Sequence, residues 1–227
     1  MQGIILWKPL YYTSIVMFVL SLVLMPISMQ WSIITILALI TLWSRIPGFV
    51  HFVFNKLAMT DLFALIVAVH AGWFIGALFG VFGIMFARIF GPYEWFPYTL
   101  RASISVFVAA ASVPLILSIT GGLNVVALYL FEIVAYIVYY LLVIMFWREE
   151  LMLEIALLPA VILFDFALNA IIINRFGDAF TDLMANGFSS GWPFLIFSAV
   201  IMFFVFLSRN AEKIAAIFGI KNAQKPQ

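Results

Sequence analysis

Cysteine is absent from the 227-residue chain, which removes disulfides, thiolate metal sites, iron–sulfur clusters and cysteine nucleophiles together. Histidine occurs twice, as His51 and His70, so no multi-histidine metal centre can be built, and neither a metal nor a cofactor is expected. Charge is scarce: Asp, Glu, Lys and Arg make up 9% of the residues, with a formal net charge of +1. The basic residues are spread in ones and twos, without the cluster that a nucleic-acid footprint requires, so no nucleic-acid partner is expected. HExxH and a lysine-bearing glycine loop are both missing from the chain. No enzymatic activity is expected on that ground.

What is present is overwhelmingly apolar. Hydrophobic residues make up 67% and the mean hydropathy is +1.21, a composition that predicts an integral membrane protein whose solvent is mostly lipid. The clear apolar segments are 10–28, 31–44, 98–120, 124–146, 152–174 and 192–208, several of them near the ~20 residues that cross ~30 Å of hydrocarbon as helix. The expected fold is all-α: a polytopic transmembrane bundle of about seven or eight segments. Residues 1–208 read as one transmembrane domain, followed by a short basic tail at 209–227. The N-terminal apolar run has a single Lys8 before it and no small-residue cleavage pattern after it, so it reads as a retained span.

Residues 61–90, "DLFALIVAVHAGWFIGALFGVFGIMFARIF", would form a helix of roughly 45 Å if continuous. Taken as one tilted helix, they leave Lys8, Arg45, Lys56 and Arg175 on one side and the other basic residues opposite, with little bias. Taken as two short helices meeting near Ala71-Gly72-Trp73, they place ten of the eleven basic residues on the N-terminal side, with only Arg175 opposite. The asymmetry of Lys and Arg in short loops favours two helices, with both termini cytoplasmic. Against this, Ala64, Ala68, Gly72, Gly76 and Gly80 recur every four residues straight through the break, as one uninterrupted helix with a small-residue face would show. That face reads either as a docking surface for a partner subunit or as packing within the chain.

The connections are read from their chemistry. Residues 44–61 contain Pro47 and Gly48 followed by aromatics, a turn and short amphipathic element at the interface. "FGPYEWFPYTLR" (90–101) reads as a loop in an aromatic belt. "GDAFTDLMANGFSSGWP" (177–193) reads as a loop with one helical turn from Asp178 to Met184. No internal repeat of the inverted-repeat transporter kind is evident.

The candidate site residues are carboxylates and amides at membrane depth. Glu154, Asp165 and Asn169 are 11 and 4 residues apart, close to whole helical turns, so they are expected to share one face. The preceding segment carries Glu132 with Tyr129, Tyr136 and Tyr139 at three- and four-residue spacing, a second polar stripe. The short turn "REE" makes the two segments antiparallel neighbours, which brings Glu132 and Asp165 to similar depth. Intramembrane carboxylates mark substrate, ion or proton pathways, and Glu132, Tyr136, Glu154, Asp165 and Asn169 are the candidate contacts. The structural alternative ties each carboxylate to a tyrosine hydroxyl, an asparagine amide, His70 or Arg88. His70 itself reads as a hydrogen-bonded packing residue.

Between Asp61 and Arg101, an acidic residue opens a short apolar helix, a G-x-x-x-G pair opens another, and a Pro-containing loop leads into "ASISVFVAAASVP". With "LLPAVILFDFALNAIIINRF" further on, this cadence over about 31–176 resembles the S-components of energy-coupling-factor vitamin transporters and the related rod-shape determinant MreD. The S-component resemblance implies binding of a small nutrient and its transfer to an energising module of a membrane subunit and two ATPases. The MreD resemblance implies a membrane scaffold in a larger complex, without a transported substrate. Both families place the turn before the glycine-rich helix on the cytoplasmic side, whereas the charge count places Ala71–Trp73 outside. "WREELMLE" has the paired glutamates of the CAAX-processing protease family but lacks its following Arg and downstream His. The expected partners are therefore the lipid bilayer, a membrane protein and a small-molecule ligand.

Overall fold

Gly72 divides the 61–90 stretch. The computed structural model describes residues 7–44, 59–90 and 96–187, and every regular element among them is helical, as the apolar composition predicts. The order is α1 (Trp7–Leu24), α2 (Met29–Ser44), α3 (Thr60–Ala71), α4 (Trp73–Phe90), α5 (Phe96–Ala111), α6 (Val113–Thr120) and α7 (Val125–Phe146). A 3₁₀ turn (Arg148–Glu150) leads to α8 (Leu151–Ala156), α9 (Leu158–Val161), a π-helical stretch (Ile162–Leu168) and α10 (Asn169–Asn186). Residues 45–58 of the interfacial element expected at 44–61, residues 91–95 of the 90–101 loop, the apolar segment 192–208 and the basic tail 209–227 lie outside the described residues.

Gly72 has φ +97°, a backbone conformation that residues with a Cβ rarely adopt, and one residue in that conformation suffices to reverse the chain. Folding there lays α3 beside α4, with Gly76 against Ala68 and Gly80 against Ala64, each pair equidistant from Gly72 in sequence. The four-residue periodicity that suggested an unbroken helix is thus the signature of a hairpin whose two arms match across the turn. Ala64, Ala68, Gly76 and Gly80 are buried in that contact, so the face is used inside the chain. Gly72 itself is exposed and forms the turn rather than part of the contact.

Helix α3 is the centre of the molecule. It touches α2, α4, α5, α6, α7 and α10, and every residue from Leu62 to Ala68 is buried, as expected of a helix that is apolar all round. Its twelve residues advance only about 18 Å, short of the ~30 Å of a bilayer core. Helices α1 and α2 form an outer hairpin joined by Ser32 Oγ donating to the Ser21 carbonyl at 2.8 Å and Trp43 Nε1 donating to Ser14 Oγ at 2.9 Å.

Three expectations are corrected. Residues 98–120 are not one straight helix: α5 and α6 are bent by 45° at Ser112, because Pro114 near the start of α6 lacks an N–H and clashes with the carbonyl four residues back. Residues 178–186 are not a loop, since α10 runs on to Asn186 and ends at Gly187, φ +64°; an Asn186–Asp182 side-chain bond of 2.7 Å supports its last turn. Tyr98 to Arg101 are not loop residues either, because α5 begins at Phe96. By length and composition, Val125–Phe146 and the continuous helix Leu158–Asn186 can each cross a membrane, and the bent α5–α6 pair makes a third if taken as one span.

A Cβ at position 76 would overlap Ala68, including its backbone, whereas one at Gly122 meets nothing within 4 Å. Gly76→Ala is therefore expected to destabilise the protein by about 1–3 kcal/mol through overpacking. Gly122→Ala is expected to change stability by no more than about 0.5 kcal/mol. Thermal unfolding of the two purified variants in the same detergent provides the comparison.

Candidate functional site

Asn124 caps α7, its side chain accepting from Ala127 N–H at 2.9 Å, and the helix then runs for 22 residues. Its buried face carries Ala127, Leu128, Phe131, Glu132, Ala135, Tyr139 and Val143, a three-and-four spacing that makes one continuous stripe. Glu132 and Tyr139 thus lie within an apolar row, with half-buried Tyr136 beside it. The chain from α8 to α10 runs back against α7 and supplies the opposing groups.

Their pairing is antiparallel. Asn169 Nδ2 donates to Glu132 Oε1 at 3.5 Å, at the long limit of hydrogen bonding. One turn further along α7, and one turn back on the opposing segment, the Tyr136 hydroxyl donates to Asp165 Oδ2. The two sequence stripes therefore face each other, and the structure brings Glu132, Tyr136, Asp165 and Asn169 together. The Tyr136 hydroxyl also lies in the electrostatic field of Glu132 and of Asp61 at the start of α3. Two carboxylates, one from α7 and one from the π-helical stretch, thus each meet a polar side chain of the facing segment, beside a Tyr136–Phe166 ring stack at 6.0 Å. They are not placed to share a metal ion: among the described residues no three His, Asp or Glu side chains are.

Glu154 departs from the expected arrangement. Tyr139 is three residues from Tyr136, yet its partner Glu154 is eleven residues from Asp165. A straight helix would carry Glu154 about 16 Å beyond Asp165, against about 4.5 Å between the two tyrosines along α7. Helical bonding instead continues through Leu157, passes Pro159 and becomes π-helical from Ile162 to Leu168. Proline removes the N–H that a continuous helix needs, and π segments often mark functional positions. Glu154 and Asp165 accordingly belong to two different clusters.

Arg101 organises the second cluster. Its side chain is fully buried, and its Nη2 donates to Glu154 Oε1 and pairs with Glu150 Oε2, both at 2.7 Å. Arg101 Nε donates to the Tyr139 hydroxyl at 3.0 Å, and that hydroxyl donates to Glu154 Oε1 at 2.7 Å. The guanidinium lies 4.6 Å from the Tyr98 ring centroid, 5.0 Å from Tyr139 and 5.7 Å from Trp147, so cation–π attraction adds to the ion pairs. Arg101 Nη1 is buried without a hydrogen-bond partner among the described residues.

Sequence reasoning missed Arg101, Tyr98, Trp147 and Asp61 as members of these clusters. For Arg101 a signal existed: Pro97 is a helix-start residue, and a helix beginning there carries Arg101 into its second turn, three residues from Tyr98. Asp61 offered no comparable signal, because its approach to Tyr136 depends on where α3 packs. Arg88, one cation considered for the carboxylates, has its side chain outside the described residues. His70 makes its hydrogen bond through the backbone, its carbonyl accepting from Gln30 Nε2 at 2.9 Å, while its Nε2 is buried without a partner among the described residues.

The chain matches no protein-family model, no curated protein and no solved structure. Removing Arg101 leaves Glu154 buried beside Tyr139 without its cation, so Arg101→Gln is expected to cost about 3–5 kcal/mol. Replacing both partners by Met is expected to recover most of that loss, because the desolvation cost of two ions disappears with them. A double-mutant cycle on unfolding free energies tests this; equal losses for the single and double variants would contradict it.

Proposed function

We propose that this chain is an integral membrane subunit that binds a small, cation-bearing solute for uptake, in the manner of an S-component, with Asp165 and Glu132 beside Tyr136 and Asn169 as its site. The observation that carries this reading is the facing of two buried carboxylates, Glu132 and Asp165, with Asn169 and Tyr136 inside a strongly apolar chain. Carboxylates at membrane depth are costly, and substrate or ion pathways are where they are retained. The exterior supports the membrane setting: Val16, Ile119, Met145 and Phe146 are each more than 60% exposed, a surface matched to hydrocarbon rather than water. Eight crossings with both termini cytoplasmic is the accompanying topology, since the bias of Lys and Arg survives when buried Arg101 leaves the count. The energising module would be a separate membrane partner.

A second reading has its own support. Glu132, Asp165 and Glu154 each receive a hydrogen bond from a side chain of this same protein, which suits a self-satisfied scaffold of the MreD kind. Such a scaffold would dock partners through its outer apolar faces, because the Ala64–Gly80 face is used internally.

Native mass spectrometry of the protein extracted from its own membranes distinguishes the two. The uptake reading expects a bound small cationic molecule whose affinity falls roughly thirtyfold or more in Asp165→Asn, since a buried charged contact is lost. A chain that carries no small molecule, is accompanied by a stoichiometric membrane protein and is indifferent to Asp165→Asn belongs to the scaffold class.

A further inference from the structure

Aromatic rings close the outer side of the seam between α7 and the π-helical stretch. Along α7, Tyr129, Tyr136 and Tyr140 follow one another at spacings of seven and four residues, which sets them on one edge of the helix. Buried Glu132 and Tyr139 lie to one side of that edge, and exposed Ile133 and Ile137 to the other. From the facing segment, Phe166 packs on Tyr136 at 6.0 Å and 30° and on Tyr129 at 5.8 Å and 39°, while Tyr140 lies 6.2 Å from Tyr136 at 32°. Four rings thus form one near-parallel series, with Glu132 and Asp165, 0% and 6% exposed, on its inner side.

Outside the series the surface is apolar. Ile162 and Leu163 are exposed on the π-helical stretch as Ile133 and Ile137 are on α7, a surface matched to hydrocarbon. Tyr129, 38% exposed, is the open end of the ring series. Aromatic faces attract cations, most strongly where water is excluded, and near-parallel rings accept another flat ring in offset stacking. The seam therefore combines buried negative charge with an aromatic lining and an apolar approach.

We propose that the solute is an organic cation bearing a flat apolar group, and that it enters along this seam from the lipid-facing side. Its flat group joins the ring series at Tyr129 and Phe166, and its positive group meets Asp165 and Glu132. Entry asks for rotation of the Tyr129 and Phe166 side chains, a motion that needs no backbone change, and it leaves the Arg101–Glu154 contact intact. The inference rests on the uptake reading above and narrows its solute class.

Benzyltrimethylammonium and tetramethylammonium carry the same charge and differ by a ring, so their binding to the full chain in lipid nanodiscs, measured against empty nanodiscs, tests the lining. The parent is expected to prefer the benzyl compound about tenfold or more. Phe166→Leu and Tyr129→Leu are each expected to reduce that preference to about threefold or less, whereas Asp165→Asn weakens both cations roughly thirtyfold or more. The preference is a ratio, which a merely less stable fold leaves unchanged, and if one leucine variant does not fold the other carries the expectation. The chain lacks cysteine, so Leu163→Cys and Met145→Cys, both at exposed positions, can each be labelled with pyrenylmaleimide in detergent before reconstitution. The label is expected to block binding at 163 and to leave it unchanged at 145. Binding unaffected by the label at 163 overturns entry from the lipid. Equal affinity for the two cations, or a preference kept in the folded leucine variants, overturns the aromatic lining and leaves the uptake reading standing where Asp165→Asn weakens both. Neither cation bound, where native mass spectrometry finds a cationic molecule, overturns the solute class; no bound molecule by either method sinks the uptake reading itself.

Discussion

A guanidinium withdrawn from water must find acceptors and counter-charges nearby, and the described part of this molecule meets that demand for Arg101 with three chain segments at once. Helix α5 supplies the cation and Tyr98, α7 supplies Tyr139, and the 3₁₀ turn with α8 supplies Glu150 and Glu154. In a chain with 9% charged residues, so dense a polar cluster fixes registers that apolar packing leaves loose, because a slip of one residue strands a buried charge. It also goes with the π-helical stretch between the two carboxylates, since Glu154 bonds Arg101 and Tyr139 while Asp165 bonds Tyr136.

The other organising constraint is steric. Around Gly72 the chain reverses within a single residue, and the alanines of α3 then accept the glycines of α4. Close backbone approach of this kind is how apolar helices associate where the surroundings offer no hydrophobic drive. It leaves α3 enclosed by six other helices. That enclosure buries Leu62 to Ala68 and sets Asp61, at the first turn of α3, within the electrostatic field of Tyr136.

The two clusters lie along the same face of α7 but differ in character. At one end a cation is matched by carboxylates and aromatic rings, with Glu150 reaching the surface; further along the helix, Glu132 and Asp165 meet Asn169 and Tyr136 beside a π-helical turn. A self-matched cluster is suited to holding elements together, and an acidic one to receiving a positive group. Tyr136, Tyr139 and Tyr140, in mutual ring contact, connect them.

Composition and periodicity determined the all-helical class, the positions of α1, α2 and α7, the chain break at Gly72 and the facing of the two polar stripes, because each follows from local patterning of apolar and polar residues. Pro97 and the small residues symmetric about Gly72 were also legible, as a helix start and a hairpin, although their first reading was as a loop and an unbroken helix. Only the tertiary structure decided that Glu154 and Asp165 separate into different clusters, that Arg101 is interior, and that Asp61 joins Tyr136. Those outcomes depend on the bend at Ser112, on the π-helical stretch after Pro159 and on which neighbour fills the space beside α3. Both are settled by packing between segments distant in sequence, about which local spacing carries no information.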